Sequence, residues 1–212
     1  MSDYLLCDET LAPVRVVPAG PGHCIAIQDL HRATIGLGIA DPAVDRRVHD
    51  LCHPLAPPRV PGGDAFILVA TTESGEVVAC IWGERWIYYT NRKPASLKPS
   101  FTFPHIAHVS ALCVAGPYTR QGIGRALMTA AVAVLQLRPD DEMTLEVRAD
   151  NTPARALYKS LGMELGATVD PSYYAEDATL GSKRKRAESK RMVSYVATIG
   201  HLSLPRGRAR LE

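Results

Sequence analysis

The spacing of apolar and polar residues along the chain predicts alternating strands and helices. Short apolar runs bounded by turn residues are typical of strands, and apolar positions that recur every three or four residues indicate helices. On this basis, strands are expected at 14–17, 64–72, 76–89, 105–114, 142–149 and 192–198, with a further strand that ends near 168. Helices are expected from Pro21 to about Leu37, from Pro42 to about Leu51, from about Gly122 to Leu137 and over 152–162.

Turn and cap residues support these boundaries. Asp41 precedes a proline, as an N-cap residue does when proline takes the first helical position, and Gly162 ends the last predicted helix. The short segment "ESG" between two apolar runs favours a β-hairpin. Residues 54–63 and 91–104 are rich in proline and polar side chains and are expected to be connections.

The stretch "TRQGIGRALM", Thr119 to Met128, places two glycines directly before a helical pattern. A glycine turn that opens a helix presents unpaired N–H groups at the positive end of the helix dipole, which suits a phosphate. The same glycines are equally explained as turn or packing devices. Neither the third glycine and acidic residue of a dinucleotide-binding fold nor the Gly-Lys-Ser/Thr of a P-loop is present, so nucleotide hydrolysis is not expected.

Composition places the chain among ordinary globular proteins, with one domain expected over 1–212. Hydrophobic residues make up 46% and charged residues 22%, and the net charge of +2 is too small to predict DNA binding. No apolar run reaches the roughly 18 residues of a membrane span, and the first residues do not resemble a secretion signal. The five cysteines are scattered without a CxxC pair, so we expect reduced thiols and a cytoplasmic, or alternatively nuclear, location.

Three segments together resemble the GNAT superfamily of acetyl-CoA-dependent N-acetyltransferases. They are "ALCV" followed by "GPYTRQGIGRALM", then "LEVRADNTPARALYKSLGMELG", then "VDPSYYAEDA". Within the superfamily they are most similar to RimI and to NatA-type catalytic subunits, and the resemblance covers roughly 64–180. Thr119 departs from the Arg or Gln that opens the family's glycine motif, which affects one side-chain contact and leaves the main-chain N–H groups in place.

The resemblance implies an α/β (α+β) fold with a central mixed, mostly antiparallel twisted sheet flanked by helices. Its splayed middle strands would hold acetyl-CoA as cosubstrate. The acetyl group would move to an amine, most plausibly the N-terminal α-amino group of a protein; small-molecule or lysine acetylation and a non-enzymatic acyl-CoA-binding module are the alternatives. By resemblance, the cofactor-binding residues are Leu112, Cys113, Val114, Arg120, Gln121, Gly122, Ile123, Gly124, Arg125, Asn151 and Tyr158.

Acetyl transfer to an amine needs a base for the amine and an acid for the departing thiolate. RimI has a glutamate and a tyrosine at the positions of Glu146 and Tyr158, which makes Glu146 the expected base and Tyr158 the expected acid. His108 is a second candidate base. The alternatives are structural: Glu146 paired with a neighbour such as Arg148, Tyr158 packed on the sheet, and His108 satisfied by the backbone. Asn151 fits both a pantetheine contact and a helix cap.

Other residues carry weaker indications. Tyr173 and Tyr174 would contact the first residues of a peptide, by resemblance to NatA. The basic segment 181–191, an insertion relative to the family, is expected to be solvated and to offer a ribosome or auxiliary-subunit contact, and 200–212 forms a tail. Cys113 could carry a thioester, although no histidine partner is evident. His49, Cys52 and His53 lack a fourth ligand, so no metal is expected.

Overall fold

An eight-stranded sheet runs through the centre of the computed structural model, which describes residues 4–6, 14–35, 41–53, 64–87, 105–169 and 192–204. The strands lie in the order β1-β2-β3-β4-β5-β6-β8-β7, and only β5 and β6 pair in parallel. They are β1 Tyr4–Leu6, β2 Val14–Pro18, β3 Asp64–Thr72, β4 Val77–Ile87, β5 His105–Val114, β6 Glu142–Arg148, β7 Glu164–Val169 and β8 Met192–Thr198. The helices are α1 Cys24–Thr34, α2 Pro42–Cys52, α3 Ile123–Val134 and α4 Thr152–Ser160. The expected α/β class with a mixed, mostly antiparallel sheet is confirmed.

Several element boundaries differ from the sequence-based prediction. The first helix begins at Cys24, after a 3-10 turn over Pro21–His23, and α3 ends at Val134 because Gln136 adopts a left-handed φ of 51°. The three-residue strand β1 was not predicted, since so short a run has no readable alternation. The Asp41 cap is confirmed: its carboxylate accepts from the Ala43 N–H at 2.9 Å.

Helices cover both faces of the sheet, and the sheet separates the core into two clusters. On one face, α3 and α4 pack over residues such as Leu68, Ile81 and Leu145. On the other face, α1 and α2 pack over a second cluster that includes Val69 and Trp82. Strands β3, β4 and β5 therefore contribute buried apolar side chains to both clusters, as expected for strands buried between helical layers.

A β-bulge in β5 changes which side chains face each helical layer. The pairing steps from Trp82↔Ala111 to Gly83↔Val109, which leaves Ser110 as an extra residue. Before the bulge, Val109 belongs to the cluster under α3 and α4; after it, Ala111 belongs to the cluster under α1 and α2. Odd-numbered residues thus change face at the bulge.

The parallel strands β5 and β6 separate just beyond this bulge. Their pairing ends at Val109↔Leu145, although β5 continues beside β4 to Val114 and β6 continues beside β8 to Arg148. The two strands therefore diverge and leave a gap in the middle of the sheet. This gap is the splay of the middle strands that the family resemblance implied.

Candidate active site

The gap between β5 and β6 contains a cavity of about 450 Å³. Thr34 and Ile35 line it from the end of α1, on one face of the sheet, and Pro153, Ala154 and Tyr158 line it from α4, on the other face. The cavity is thus bordered by both helical layers, so two molecules that approach from opposite faces can meet inside it. Its remaining lining residues are Val109, Ser110, Ala111, Leu112, Leu145, Glu146, Val147, Arg148, Asp150, Asn151 and Met192.

Glu146 lines the cavity from β6 without a partner for its charge. Within the described residues its carboxylate forms neither a hydrogen bond nor an ion pair, and burial raises its pKa above the ordinary 4.5. The Arg148 guanidinium, the expected alternative partner, instead forms two hydrogen bonds to Asp150, at 3.0 and 2.8 Å. A half-buried, unpaired carboxylate with a raised pKa has the properties of a general base.

Tyr158 reaches the cavity from the opposite face, on α4. It is 6% exposed, its ring lies 5.6 Å from that of Tyr195, and burial raises its pKa well above the usual value, with a further contribution from the nearby Cys113 thiol. The hydroxyl therefore remains protonated over the whole neutral pH range and is available as a hydrogen-bond donor. The packing expected of a structural tyrosine and the placement expected of an acid are both present.

His108 lies on β5 before the bulge and is not among the residues that line the cavity. Its Nδ1 is 3.1 Å from the Thr144 hydroxyl on the neighbouring strand, and burial lowers its pKa, opposed by the charge of Glu84. The ring thus has a side-chain partner on the neighbouring strand. Its role as a second base stays a prediction, and its position favours Glu146.

The glycine turn has the backbone geometry that an anion site requires. Gly122 adopts φ 78° as the N-cap of α3, and Arg120 is also left-handed at φ 64°. Within the described residues, the N–H groups of Ile123, Gly124 and Arg125 donate to no other group. Three unpaired donors at a helix N-terminus fit the pyrophosphate of a CoA thioester.

The side chains of Gln121 and Arg125 in this turn form hydrogen bonds with main-chain carbonyls. The Gln121 amide donates to the Pro117 carbonyl at 2.9 Å, and the Arg125 guanidinium donates to the Ser203 carbonyl at 2.8 Å. A Cβ on Gly124 would lie 3.1 Å from the Leu157 side chain, so this glycine lets α3 and α4 approach closely. The turn and packing explanation of the glycines therefore holds, since Gly122 shapes the turn and Gly124 permits packing, and the phosphate contact stays a prediction.

The end of β5 supplies a second set of donors. The Ala115 N–H bonds to Val78 on β4, and N–H groups alternate in direction along a strand, so those of Leu112 and Val114 point away from β4 into the gap. Of the two residues, Leu112 also lines the cavity, and an N–H group there suits a carbonyl oxygen that gains negative charge. Cys113, between them, is 1% exposed and lies beside Cys80 in the cluster under α1 and α2. Because its sulfur is buried in this cluster, the position does not favour a thioester on Cys113.

Asn151 has the cap function that the sequence indicated. Its side chain accepts from the Ala154 N–H at 3.2 Å and begins α4, and the residue also lines the cavity. Cap and cavity positions are therefore compatible, and the pantetheine contact stays a prediction.

Thr34, Ile35 and Met192 line the cavity although they lie outside 64–180, the part of the chain that the family resemblance covers. No motif surrounds them, and they reach the cavity only through long-range packing of α1 and β8 against the central strands. Conversely, Tyr173, Tyr174 and the basic segment 181–191 lie outside the described residues. So does the tail beyond 204.

Neither a metal site nor a membrane span is found in the part of the chain that the structure describes. His49 and His53 stack with ring centroids 4.2 Å apart, and no described group of three or more His, Cys, Asp or Glu side chains could hold a metal ion.

Comparison with known proteins identifies the family. Residues 44–163 match the model of the Acetyltransferase (GNAT) family. The chain is 37% identical over 95 residues to the [ribosomal protein bS18]-alanine N-acetyltransferase of Escherichia coli. The match covers 43% of this chain and 64% of that relative, so this chain spans less than two thirds of the relative's length. It is 40% identical over 121 residues to the N-alpha-acetyltransferase of Sulfurisphaera tokodaii, across 55% of this chain and 68% of the relative.

A solved structure agrees with the fold. The chain superposes on Arabidopsis thaliana NAA60 in complex with a bisubstrate analogue with a TM-score of 0.59 and 17% identity, covering 86% of this chain and 96% of that one. At this identity the likeness concerns the fold.

Proposed function

The chain belongs to the GNAT acetyltransferase family, and from this premise we propose that it transfers the acetyl group of acetyl-CoA to the N-terminal α-amino group of a protein. The observation that carries the proposal is the cavity in the gap between β5 and β6, which Glu146 and Tyr158 line together. A binding module needs the donors of the glycine turn but needs no unpaired carboxylate beside the acyl group. The arrangement therefore favours catalysis over binding alone.

Each group of the chain has one task in this proposal. The free N–H groups of Ile123, Gly124 and Arg125 hold the pyrophosphate, which directs the thioester into the gap. The N–H groups of Leu112 and Val114 stabilise the oxygen of the acetyl carbonyl as its charge develops. Acetyl-CoA supplies the activated acyl group.

Proton transfers fall to the two lining side chains. Glu146 accepts the proton of the attacking amine, directly or through water, because its carboxylate has no competing partner among the described residues. Tyr158 donates its hydroxyl hydrogen toward the leaving sulfur. Since the raised pKa of Tyr158 exceeds that of an ordinary thiol, about 8.5, hydrogen bonding supplies most of this stabilisation.

The acceptor assignment follows from the strength of the base. An α-amine with a pKa of about 7.7 to 8.0 is roughly one-tenth neutral at pH 7, whereas a lysine near 10.4 is neutral in fewer than about one molecule in a thousand. A carboxylate is a modest base and suits the amine that is already partly neutral. The relatives named for alanine and N-alpha acetylation point the same way.

A competition between acceptors tests this function. Peptides that begin with alanine and carry a free amino group are expected to be acetylated well, and the same peptides with a blocked terminus and an internal lysine poorly. Tyr158→Phe is expected to lower turnover of the first peptide roughly 10²-fold with little change in acetyl-CoA affinity. Faster acetylation of the blocked lysine peptide, or of spermidine, would contradict the assignment and favour the alternative acceptors.

The partners and the location stay predictions within this proposal. A ribosome or auxiliary-subunit contact through 181–191 and the peptide contacts of Tyr173 and Tyr174 concern residues outside the described ones, and the cytoplasmic location rests on the sequence alone. Neutralising Lys183 to Arg186 tests the contact by ribosome co-sedimentation.

A further inference from the structure

The guanidinium of Arg125 connects the glycine turn to the helix that carries Tyr158. Arg125 is the third residue of α3, so its own N–H is one of the three free donors at the cofactor turn. Its side chain extends away to α4, where one guanidinium nitrogen donates to the Ser160 hydroxyl at 2.7 Å and to the Ser160 carbonyl at 3.4 Å. The other nitrogen donates to the Ser203 carbonyl at 2.8 Å. The side chain thus joins the glycine turn to two other parts of the chain, α4 and the segment after β8.

The two helices it joins are anchored very differently. Six residues of α3 are buried in the core, including Leu127 and Met128, whereas Tyr158 is the one buried residue of α4. Leu161, the C-cap of α4, is also buried, and Ala154 and Leu157 pack against the core, so polar contacts at the two ends of α4 add to a small apolar anchor. At its beginning, Arg155 donates to the Ala149 carbonyl at 2.8 Å and to the Tyr195 hydroxyl at 3.3 Å.

At the end of α4, beside the buried Leu161, two sets of polar contacts join the helix to other segments. One is the pair of hydrogen bonds from Arg125 to Ser160; the other is a main-chain bond from the Ser203 N–H to the Leu161 carbonyl at 2.8 Å. Tyr158 lies two residues before Ser160, within the last turn of α4. A shift of this turn would move the phenol hydroxyl relative to the gap, and displacements of about 1 Å can cost up to 10²-fold in rate.

We propose that Arg125 is a positioning residue: its guanidinium sets the position of Tyr158 relative to the cofactor turn and leaves the binding of the phosphates to main-chain N–H groups. This inference rests on the proposed function, because it assigns to Arg125 an effect on the acid of that reaction. It differs from a role in which the Arg125 side chain itself contacts the cofactor.

Three variants separate geometry from charge. Arg125→Lys keeps the charge but cannot bond to Ser160 and Ser203 together, Arg125→Met removes the charge as well, and Ser160→Ala removes the acceptor hydroxyl. We expect kcat to fall about 5- to 10-fold in both Arg125 variants and about 3-fold in Ser160→Ala. The double variant Arg125→Lys/Ser160→Ala is expected to be no slower than Arg125→Lys alone, since both changes break one contact.

Matched controls come from the same contact and from a distant strand. Ser203→Ala keeps the main-chain carbonyl that accepts from Arg125, and Arg15→Lys changes an exposed arginine on β2; both are expected to retain the wild-type kcat. The dissociation constant of acetyl-CoA, measured by calorimetry, is expected to stay within about twofold in all variants. Thermal unfolding of each variant identifies any loss of kcat that comes from loss of the folded state.

A binding measurement tests the same inference without turnover. Tyr158→Phe is expected to weaken CoA binding in the wild-type background, because the phenol donates to the sulfur, and to weaken it less than half as much in the Arg125→Lys background. If no amine acceptor is acetylated, the proposed function fails and this cycle still decides the role of Arg125. An equal effect of Tyr158→Phe in both backgrounds, or a tenfold loss of acetyl-CoA affinity in Arg125→Met that Arg125→Lys restores, overturns the proposal.

Discussion

Glu146 and Arg148 point from the same strand into the same cavity, yet their charges have different surroundings. Arg148 is neutralised by Asp150, two residues further on, whereas Glu146 has no partner among the described residues. Arg148 is close to Glu146 in sequence but does not pair with it, because Asp150 in the turn after β6 binds the guanidinium that would otherwise lower the pKa of Glu146. The carboxylate remains free to take a proton.

The pH dependence of the reaction follows from the raised pKa of Glu146. The base is the deprotonated carboxylate, so activity is present above its pKa and is lost as the pH falls through it, at a pH higher than an ordinary glutamate's 4.5 would give. Glu146→Gln is expected to lower kcat/KM roughly 10²-fold and to remove this acid limb. The dependence on neutral amine, near pH 7.7 to 8.0, is expected to remain in the variant.

Steady-state rates from pH 4.5 to 9 with an alanine peptide check this prediction. His108→Ala is the matched comparison, because that ring lies on the neighbouring strand outside the cavity lining. Full activity of Glu146→Gln, combined with loss of activity in a folded His108→Ala, would make His108 the base instead.

At the scale of the elements, the bulge in β5 depends on a glycine in β4. A Cβ at Gly83 would lie 2.0 Å from the His108 carbonyl oxygen and 3.0 Å from the Phe66 ring. No side chain fits there unless β4 and β5 move apart. Since the strands must remain this close for the bulge at Ser110 to form, Gly83 supports the divergence of β5 from β6.

Gly83→Ala is therefore expected to destabilise the protein by about 1–3 kcal/mol, the usual cost of overpacking. Gly22→Ala is the control: its Cβ meets no atom within 4 Å, and the change is expected to stay within about 0.5 kcal/mol. Urea unfolding of both variants measures the difference. Equal stability of Gly83→Ala and wild type would mean that the bulge tolerates a wider strand spacing.

At the scale of the whole molecule, the buried carboxylate of Asp141 joins distant segments. It has no exposed side-chain surface, and it accepts from the His105 N–H at 2.8 Å and from the Arg138 N–H at 2.7 Å. Its own main-chain carbonyl accepts from the Ile199 N–H at 2.9 Å. The start of β5, the connection before β6 and the segment after β8 thus meet at one residue.

The free energy of unfolding at acid pH is expected to depend on the carboxylate of Asp141. Burial alone would raise the pKa of Asp141, but the hydrogen bonds from Arg138 and His105 and the charge of Arg138 lower it overall, below the ordinary 3.8. A depressed pKa stabilises the fold above the unfolded value, and this contribution is lost as the pH falls below about 4. Asp141→Asn is expected to cost about 2 kcal/mol at pH 7, the strength of a charge-assisted hydrogen bond.

Urea unfolding at pH 7 and at pH 3 measures this effect, and the gap between Asp141→Asn and wild type is expected to narrow at the lower pH. Asp140→Asn is the matched control, because its side chain is 67% exposed. A gap that stays constant with pH would show that the charge of Asp141 contributes nothing to stability.

The sequence by itself determined the features whose partners lie within a few residues. The Asp41 and Asn151 caps, the left-handed Gly122 and the helix end at Gly162 all depend on local backbone geometry, which residue type controls directly. The apolar periodicity likewise located the long strands and helices. The motif resemblance added Glu146 and Tyr158, which the structure brings to one cavity.

Only the tertiary structure decided the features that join distant parts of the chain. Ser110 becomes a bulge because of Gly83, Ile35 reaches the cavity because α1 packs across the sheet, and Arg125 bonds to Ser203 across 78 positions. Such contacts depend on how whole elements pack, so neither the spacing of apolar residues nor a helix cap predicts them. The carboxylate of Glu146 belongs to the same class, because its lack of a partner among the described residues is a property of the folded surroundings.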